Sequence, residues 1–326
     1  MNTSILNYLD YITSGVMQQP LFGCLVSCFG LSFIFSIALI HFARRFKLFQ
    51  PEREEILAIT KMSKFVPTMG GIAILFSMHL VFWFYPHGYS KTDWDILLLG
   101  TLFAILGFAD DFLKLKQAKY SGLLIKTRVF FEVLIAGIFV YYFLTHDPLR
   151  CYIPVIKICA FPMVMLWGVF MILSGANSYN LTDGVDSLAA TLGGYVMLFL
   201  WLINDNFLAL LALCGLLGYL VLNRPPAKLI MGDTGALGIG AMIGAFFFKH
   251  HLDLLLPVVG IVFVLETVSV IIQIYYIRAL KKRFFLMAPL HHHFEKSGWS
   301  KGKILLVFNA IGILALVIAC IIERLI

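Results

Sequence analysis

Apolar residues run along this chain in long blocks separated by short polar intervals. Ten blocks stand out, at roughly 21–43, 69–85, 95–109, 129–144, 158–175, 187–203, 207–222, 235–248, 254–277 and 304–322. A helix needs about 20 apolar residues to cross a bilayer, so the shorter blocks extend into their polar flanks. The two-residue alternation that marks strands is absent. The pattern predicts an all-α, polytopic integral membrane protein with ten transmembrane helices. Residues 1–326 read as a single membrane domain, without a soluble module or a defensible repeat.

Composition agrees: 60% of residues are hydrophobic and 13% are charged, against about a quarter charged in soluble domains. The formal charge of +7 invites a nucleic-acid reading, but the distribution of the charge argues otherwise. Twenty of the 25 Lys and Arg residues fall on the loops of one side, from Arg44 and Lys64 through Lys126 and Arg128 to Lys303. Only Lys91, Arg150, Lys157, Lys249 and Arg324 fall on the other. Basic residues collect on the cytoplasmic side, so the excess is a topology signal and both termini are expected to face outward. The first 20 residues carry no Lys or Arg, so no secretory signal peptide is read there. The six cysteines form no C-x-x-C pair and read as small core residues.

With that orientation, the polar clusters of interest all fall on the cytoplasmic side. Between two apolar blocks, residues 177–190 hold Asn180, Thr182, Asp183, Gly184 and Asp186. Carboxylates beside a bilayer are costly unless they pair, bind metal or face water, so this stretch is expected to wall a polar site. Asp110 and Asp111 end another block, with Lys114 one helical turn later. That group reads either as a surface ion pair or as carboxylates holding a divalent ion beside a phosphate-binding lysine. Met231-Gly232-Asp233-Thr234-Gly235 places an acid between glycines at a helix start, as a ligand site or a simple N-cap. Thr68 precedes Gly70 and Gly71, as a cap or a ligand contact. His291, His292 and His293 lack zinc spacing, but beside Lys281, Lys282 and Arg283 they could receive an anionic headgroup. Glu266 and His79 lie inside apolar blocks and carry no assigned role. Chemistry confined to one side favours an enzyme over a transporter, whose polar groups gather near the midplane.

Taken together, Phe108-Ala109-Asp110-Asp111-Phe112-Leu113-Lys114, Asn180-Leu181-Thr182-Asp183-Gly184 and Met231-Gly232-Asp233-Thr234-Gly235 resemble the signatures of the polyprenyl-phosphate N-acetylhexosamine-1-phosphate transferases. Pro67-Thr68-Met69-Gly70-Gly71 and the run from Met287 to Glu295 are similar to the muramoyl-pentapeptide branch of that family. The resemblance covers about residues 44 to 304, in order. It implies a ten-helix inner-membrane enzyme, homodimeric and dependent on Mg²⁺. Phospho-MurNAc-pentapeptide would pass from UDP-MurNAc-pentapeptide to undecaprenyl phosphate, giving lipid I and UMP. Asp233 and Asn180 match the metal position, and Asp110, Asp111 and Asp183 match the essential acids. Gly184, Val185, Asp186 and Asn223 fall where the nucleoside is held, and the histidine run where the sugar-peptide headgroup is expected. Lys64, Thr68 and Lys126 are further candidate substrate contacts, and either Lys126 or Arg128 would hold the lipid phosphate.

This chain departs from the family pattern at Val66, where Thr is usual, and at Ile230, where Phe is usual. Ser187 stands for Gly, and Val307 and Asn309 for an Arg and a Trp. Loss of the ring at Ile230 is expected to weaken nucleoside binding. Direct attack by the lipid phosphate and a two-step route through an aspartyl phosphate both fit the residues. The rival readings are GlcNAc-1-phosphate transfer to the same lipid, and a lipid transporter without chemistry.

Overall fold

The computed structural model describes residues 18–46, 48–49, 66–84, 90–117, 122–146 and 161–325. Its elements are helices in chain order: α1 (Gln18–Arg45), α2 (Gly71–Phe84), α3 (Lys91–Gln117), α4 (Ile125–His146), α5 (Phe161–Thr182), α6 (Leu188–Asn204), α7 (Phe207–Asn223), α8 (Gly232–Lys249), α9 (Leu256–Val259), α10 (Ile261–Leu280), α11 (Leu290–Lys296) and α12 (Lys301–Leu325). Among the described residues there is no strand, only an isolated bridge between Phe49 and Pro67. The protein is therefore an all-helical, polytopic membrane protein. Lipid cannot satisfy backbone polar groups, and a helix satisfies its own.

Among the described residues every apolar block is helical, and all but one hold a single helix. Six of the described helices (α1, α3, α4, α5, α10 and α12) are long and apolar enough to cross a membrane. Three more (α2, α6 and α7) are apolar but shorter. The block at 254–277 is divided, because the helix breaks at Gly260 between α9 and α10. Leu166, Phe170, Leu306 and Leu314 are all more than half exposed. On a soluble protein such a surface would aggregate; here it is where hydrocarbon chains would pack.

The structural centre is α8. Every residue of α8 except Asp233 is buried. It packs chiefly on α3 and α5, and also on α2 and α6. Glycine makes these close approaches possible. A Cβ at Gly107 of α3 would collide with the Asp233 carbonyl, and one at Gly175 of α5 with the Gly240 carbonyl. Small residues let helix backbones approach closely enough for dispersion contacts to hold them without a hydrophobic drive. At Gly107 the fit also sets the distance between the acids of α3 and Asp233.

Ser187 adopts φ 66°, the left-handed region. This explains why glycine is usual there, since a Cβ in that region costs roughly 1–2 kcal/mol. Ser187→Gly should accordingly raise the unfolding temperature in detergent, with a gain of about 1 kcal/mol. An unchanged or lowered melting temperature would count against strain at this turn.

Candidate functional site

Four elements bring the acids together. The C-terminal part of α3 carries Asp110, Asp111 and Lys114, and α8 starts with Gly232 and Asp233. α5 ends at Asn180 and Thr182, and the turn after it carries Asp183 and Gly184. One carboxylate oxygen each from Asp110, Asp111 and Asp233 lie within 4.8 Å of one another. Asn180 Nδ2 donates to Asp233 Oδ1 at 2.7 Å. Three of the sequence-predicted motifs thus meet at one point, although they are far apart in the chain.

Lys114 sits in the middle of the acids. Its Nζ is 2.7 Å from Asp110 Oδ2, 2.9 Å from Asp233 Oδ2 and 3.8 Å from Asp111 Oδ1. Three carboxylates this close repel one another strongly in a water-poor setting, and one ammonium offsets part of that cost. The set of hard oxygen donors also suits a small divalent cation, whose charge would take over from the lysine. The i,i+4 ion pair between Asp110 and Lys114 that the spacing offers does form, but buried rather than on the surface, and with Asp233 as a second partner.

The two adjacent aspartates do different work. Asp111 Oδ2 accepts from the Thr234 backbone N–H at 3.0 Å and from its hydroxyl at 2.8 Å. Its Oδ1 accepts from the Asp233 N–H at 3.2 Å. Asp111 therefore caps α8 from a neighbouring helix, satisfying donors a helix N-terminus leaves open. The expected alternative of Asp233 as the N-cap does not occur, since Asp233 lies inside the first turn. Asp110 is less committed: its Oδ1 accepts from the Leu123 N–H at 2.6 Å, and its Oδ2 meets Lys114. Thr68 is buried, with its hydroxyl near the Cβ position of Gly232.

A polar chain on α4 and α5 backs the site. Arg128 reaches Asp233 Oδ2 at 3.6 Å and Glu132 Oε1 at 3.2 Å. It also donates to Asn177 Oδ1 at 3.0 Å, and Asn177 Nδ2 donates to Glu132 Oε2 at 2.8 Å. Lys126 and Arg128 are the two candidate cations at this loop, while Glu132 and Asn177 have no role assigned from the sequence. Lys126 is exposed, whereas Arg128 faces the acids. Lys64, Cys151 and Cys159 lie outside the described residues.

The turn after α5 is tied down from below. Asp186 Oδ2 accepts from the Ala227 N–H at 3.0 Å. Asn223 is buried; its Oδ1 accepts from the Ser187 N–H at 2.7 Å, and its Nδ2 donates to the Leu229 carbonyl at 2.8 Å. Val185 is buried in the core, while Gly184 is exposed. Asp183 follows α5 directly. Burial holds its carboxyl well above the ordinary carboxylate range, and the charges of Asp233, Asp111 and Asp186 push it further.

The histidine run does not act as one surface. His291 is fully buried against Glu266, with Nδ1 at 3.1 Å from Glu266 Oε1. His292 pairs with Glu295 Oε2 at 2.7 Å, and burial holds its imidazole below the usual value. Only His293 joins Arg283 and Lys296 around an open groove that Phe284, Phe285 and Leu286 also line. His291 and His292 are buried beside carboxyl groups, so the three imidazoles do not present one continuous surface. His79 is satisfied within the bundle by the Leu75 carbonyl and Thr101.

A family profile described as glycosyl transferase family 4 matches residues 94–251, which contain the acids, Asn180 and Asp233. A phospho-N-acetylmuramoyl-pentapeptide-transferase of Anoxybacillus flavithermus is 36% identical over 313 residues, covering 90% of this chain and 96% of the relative. The chain belongs to this transferase family. Family members from Listeria welshimeri (34% identical, 90% of this chain and 97% of the relative) and Borrelia duttonii (34%, 96% of both) agree. The similarity extends beyond the matched profile to α1 and α12, so the family embraces the whole bundle.

Proposed function

We propose that this protein transfers phospho-MurNAc-pentapeptide from UDP-MurNAc-pentapeptide to undecaprenyl phosphate, forming lipid I and releasing UMP. The reading is carried by the acid cluster, assembled from separate helices in a chain related to named transferases over nine-tenths of its length. Asp233 and Asn180 are the first choices to hold Mg²⁺. When bound, the ion neutralises charge on the pyrophosphate and on the departing UMP.

Of the paired acids, Asp110 is the better base toward the lipid phosphate. Asp111 spends both oxygens on α8, so its role is to fix the start of that helix. Of Lys126 and Arg128, Arg128 is the favoured cation for the lipid phosphate, because it already points at the acids. Lys114 neutralises the carboxylates until substrate and metal arrive. Gly184 and Asp186 border the nucleoside, with Val185 and Asn223 supporting that turn from the interior. Thr68 and Lys64 remain substrate contacts by resemblance. Ten membrane crossings, outward termini, a cytoplasmic site in a bacterial inner membrane and a homodimer complete the reading. The one-sided basic residues support the orientation.

The test is UMP release by purified protein in detergent, with undecaprenyl phosphate and either UDP-MurNAc-pentapeptide or UDP-GlcNAc, with and without Mg²⁺. Release from the muramoyl substrate that needs both lipid and Mg²⁺ is the expected result. Release from UDP-GlcNAc alone would assign the sister reaction, and no release from either would leave a non-catalytic carrier.

A further inference from the structure

His291 sits at an unusual junction. Glu266, deep in α10 and fully buried, faces it twice: Oε1 accepts from the His291 backbone N–H at 3.2 Å and lies 3.1 Å from Nδ1. Glu266 Oε1 already accepts from the backbone N–H, and the same oxygen facing Nδ1 favours the tautomer with the hydrogen on Nδ1. That leaves Nε2, which is buried and has no hydrogen-bond partner among the described residues. Nε2 lies directly under Gly184, where an added Cβ would collide with the ring. Gly184 is exposed and adjoins Asp183, so only a residue without a side chain separates this nitrogen from the site. Buried polar atoms are nearly always satisfied, and an orphan facing a site is a place for a ligand.

We infer that Glu266 is a positioning residue: it holds His291 with Nδ1 protonated, so that Nε2 presents a lone pair at the Asp183–Gly184 turn to a hydrogen-bond donor of the substrate. The donor is a hydroxyl or amide N–H on the transferred sugar-peptide headgroup, not a phosphate oxygen. This rests on the proposed transfer reaction and gives the buried Glu266 a part in it. The glycine is required because any side chain there would push the ring off its line.

Glu266→Gln tests it. The amide keeps the shape and can still accept from the backbone N–H, but its NH₂ can donate to Nδ1 and move the hydrogen to Nε2. Turnover should fall about 10- to 100-fold, the usual scale for losing a partner that orients an imidazole. Glu266→Asp, which retains an acceptor-only group, should recover part of it. In a His291→Ala background, Glu266→Gln should cost little more, because the two act as a unit. Nitrogen-15 spectra of histidine-labelled protein should show the His291 hydrogen on Nδ1 in the parent and on Nε2 in Glu266→Gln.

Thermal unfolding in detergent checks that each variant folds. If Glu266→Gln does not fold, the Glu266→Asp and His291→Ala cycle together with the parent spectrum decides. Equal losses with and without His291, or a parent with the hydrogen on Nε2, would overturn the inference. A parent that releases no UMP would instead overturn the proposed reaction, while the spectrum would still report the tautomer.

Discussion

Asp233→Ala is expected to reduce UMP release by at least ~10³-fold, the equivalent of about 4 kcal/mol of lost transition-state stabilisation. Asp233 is the point on which Asn180, Lys114 and Arg128 all converge. Removing it takes away a negative charge that no neighbour can restore, because Asp111 is committed to the helix start. Folding should survive, since Lys114 retains Asp110 at 2.7 Å. Turnover and thermal unfolding measured on the same preparation separate the two effects. A variant that keeps near-native turnover would remove Asp233 from the metal position.

The second large effect is expected at Lys114. Lys114→Met preserves the aliphatic stem and deletes the charge between the three acids. Breaking a buried ion pair from one side commonly costs about 3–5 kcal/mol, because the remaining charge is left uncompensated. Here three carboxylates within 4.8 Å would be left. In EDTA the variant should therefore unfold at a clearly lower temperature than the parent. Added Mg²⁺ should restore more stability to the variant than to the parent, because a ligand stabilises in proportion to its affinity for the folded state. The Mg²⁺ concentration for half-maximal stabilisation should fall as well. Equal Mg²⁺ shifts in both proteins would show that lysine and metal do not share the pocket.

Both predictions depend on distances that the chain order does not display. Asp110 and Asp233 are separated in the chain by the four helices α4 to α7, and they meet because Gly107 lets α3 lie against the first turn of α8. The same contact turns Asp111 inward to cap α8. Neighbouring residues of identical chemistry therefore acquire different jobs from a helical turn of about 100° per residue.

The amino-acid sequence alone determined the class of protein and the inventory of its chemistry. Long apolar blocks can only be buried in lipid as helices, and that requirement is local, so every block was readable as a helix. The acids, the asparagine and the histidines were also readable, because polar groups at membrane depth are expensive and stand out against an apolar background. Tertiary structure alone decided which of these groups touch. It made α8 the centre, placed Lys114 among the acids, turned Arg128 rather than Lys126 toward them, and split the three histidines among separate partners. Those outcomes depend on how helices pack. Packing is governed by where small residues let backbones approach, and that is a property of pairs of helices which no single stretch of chain contains.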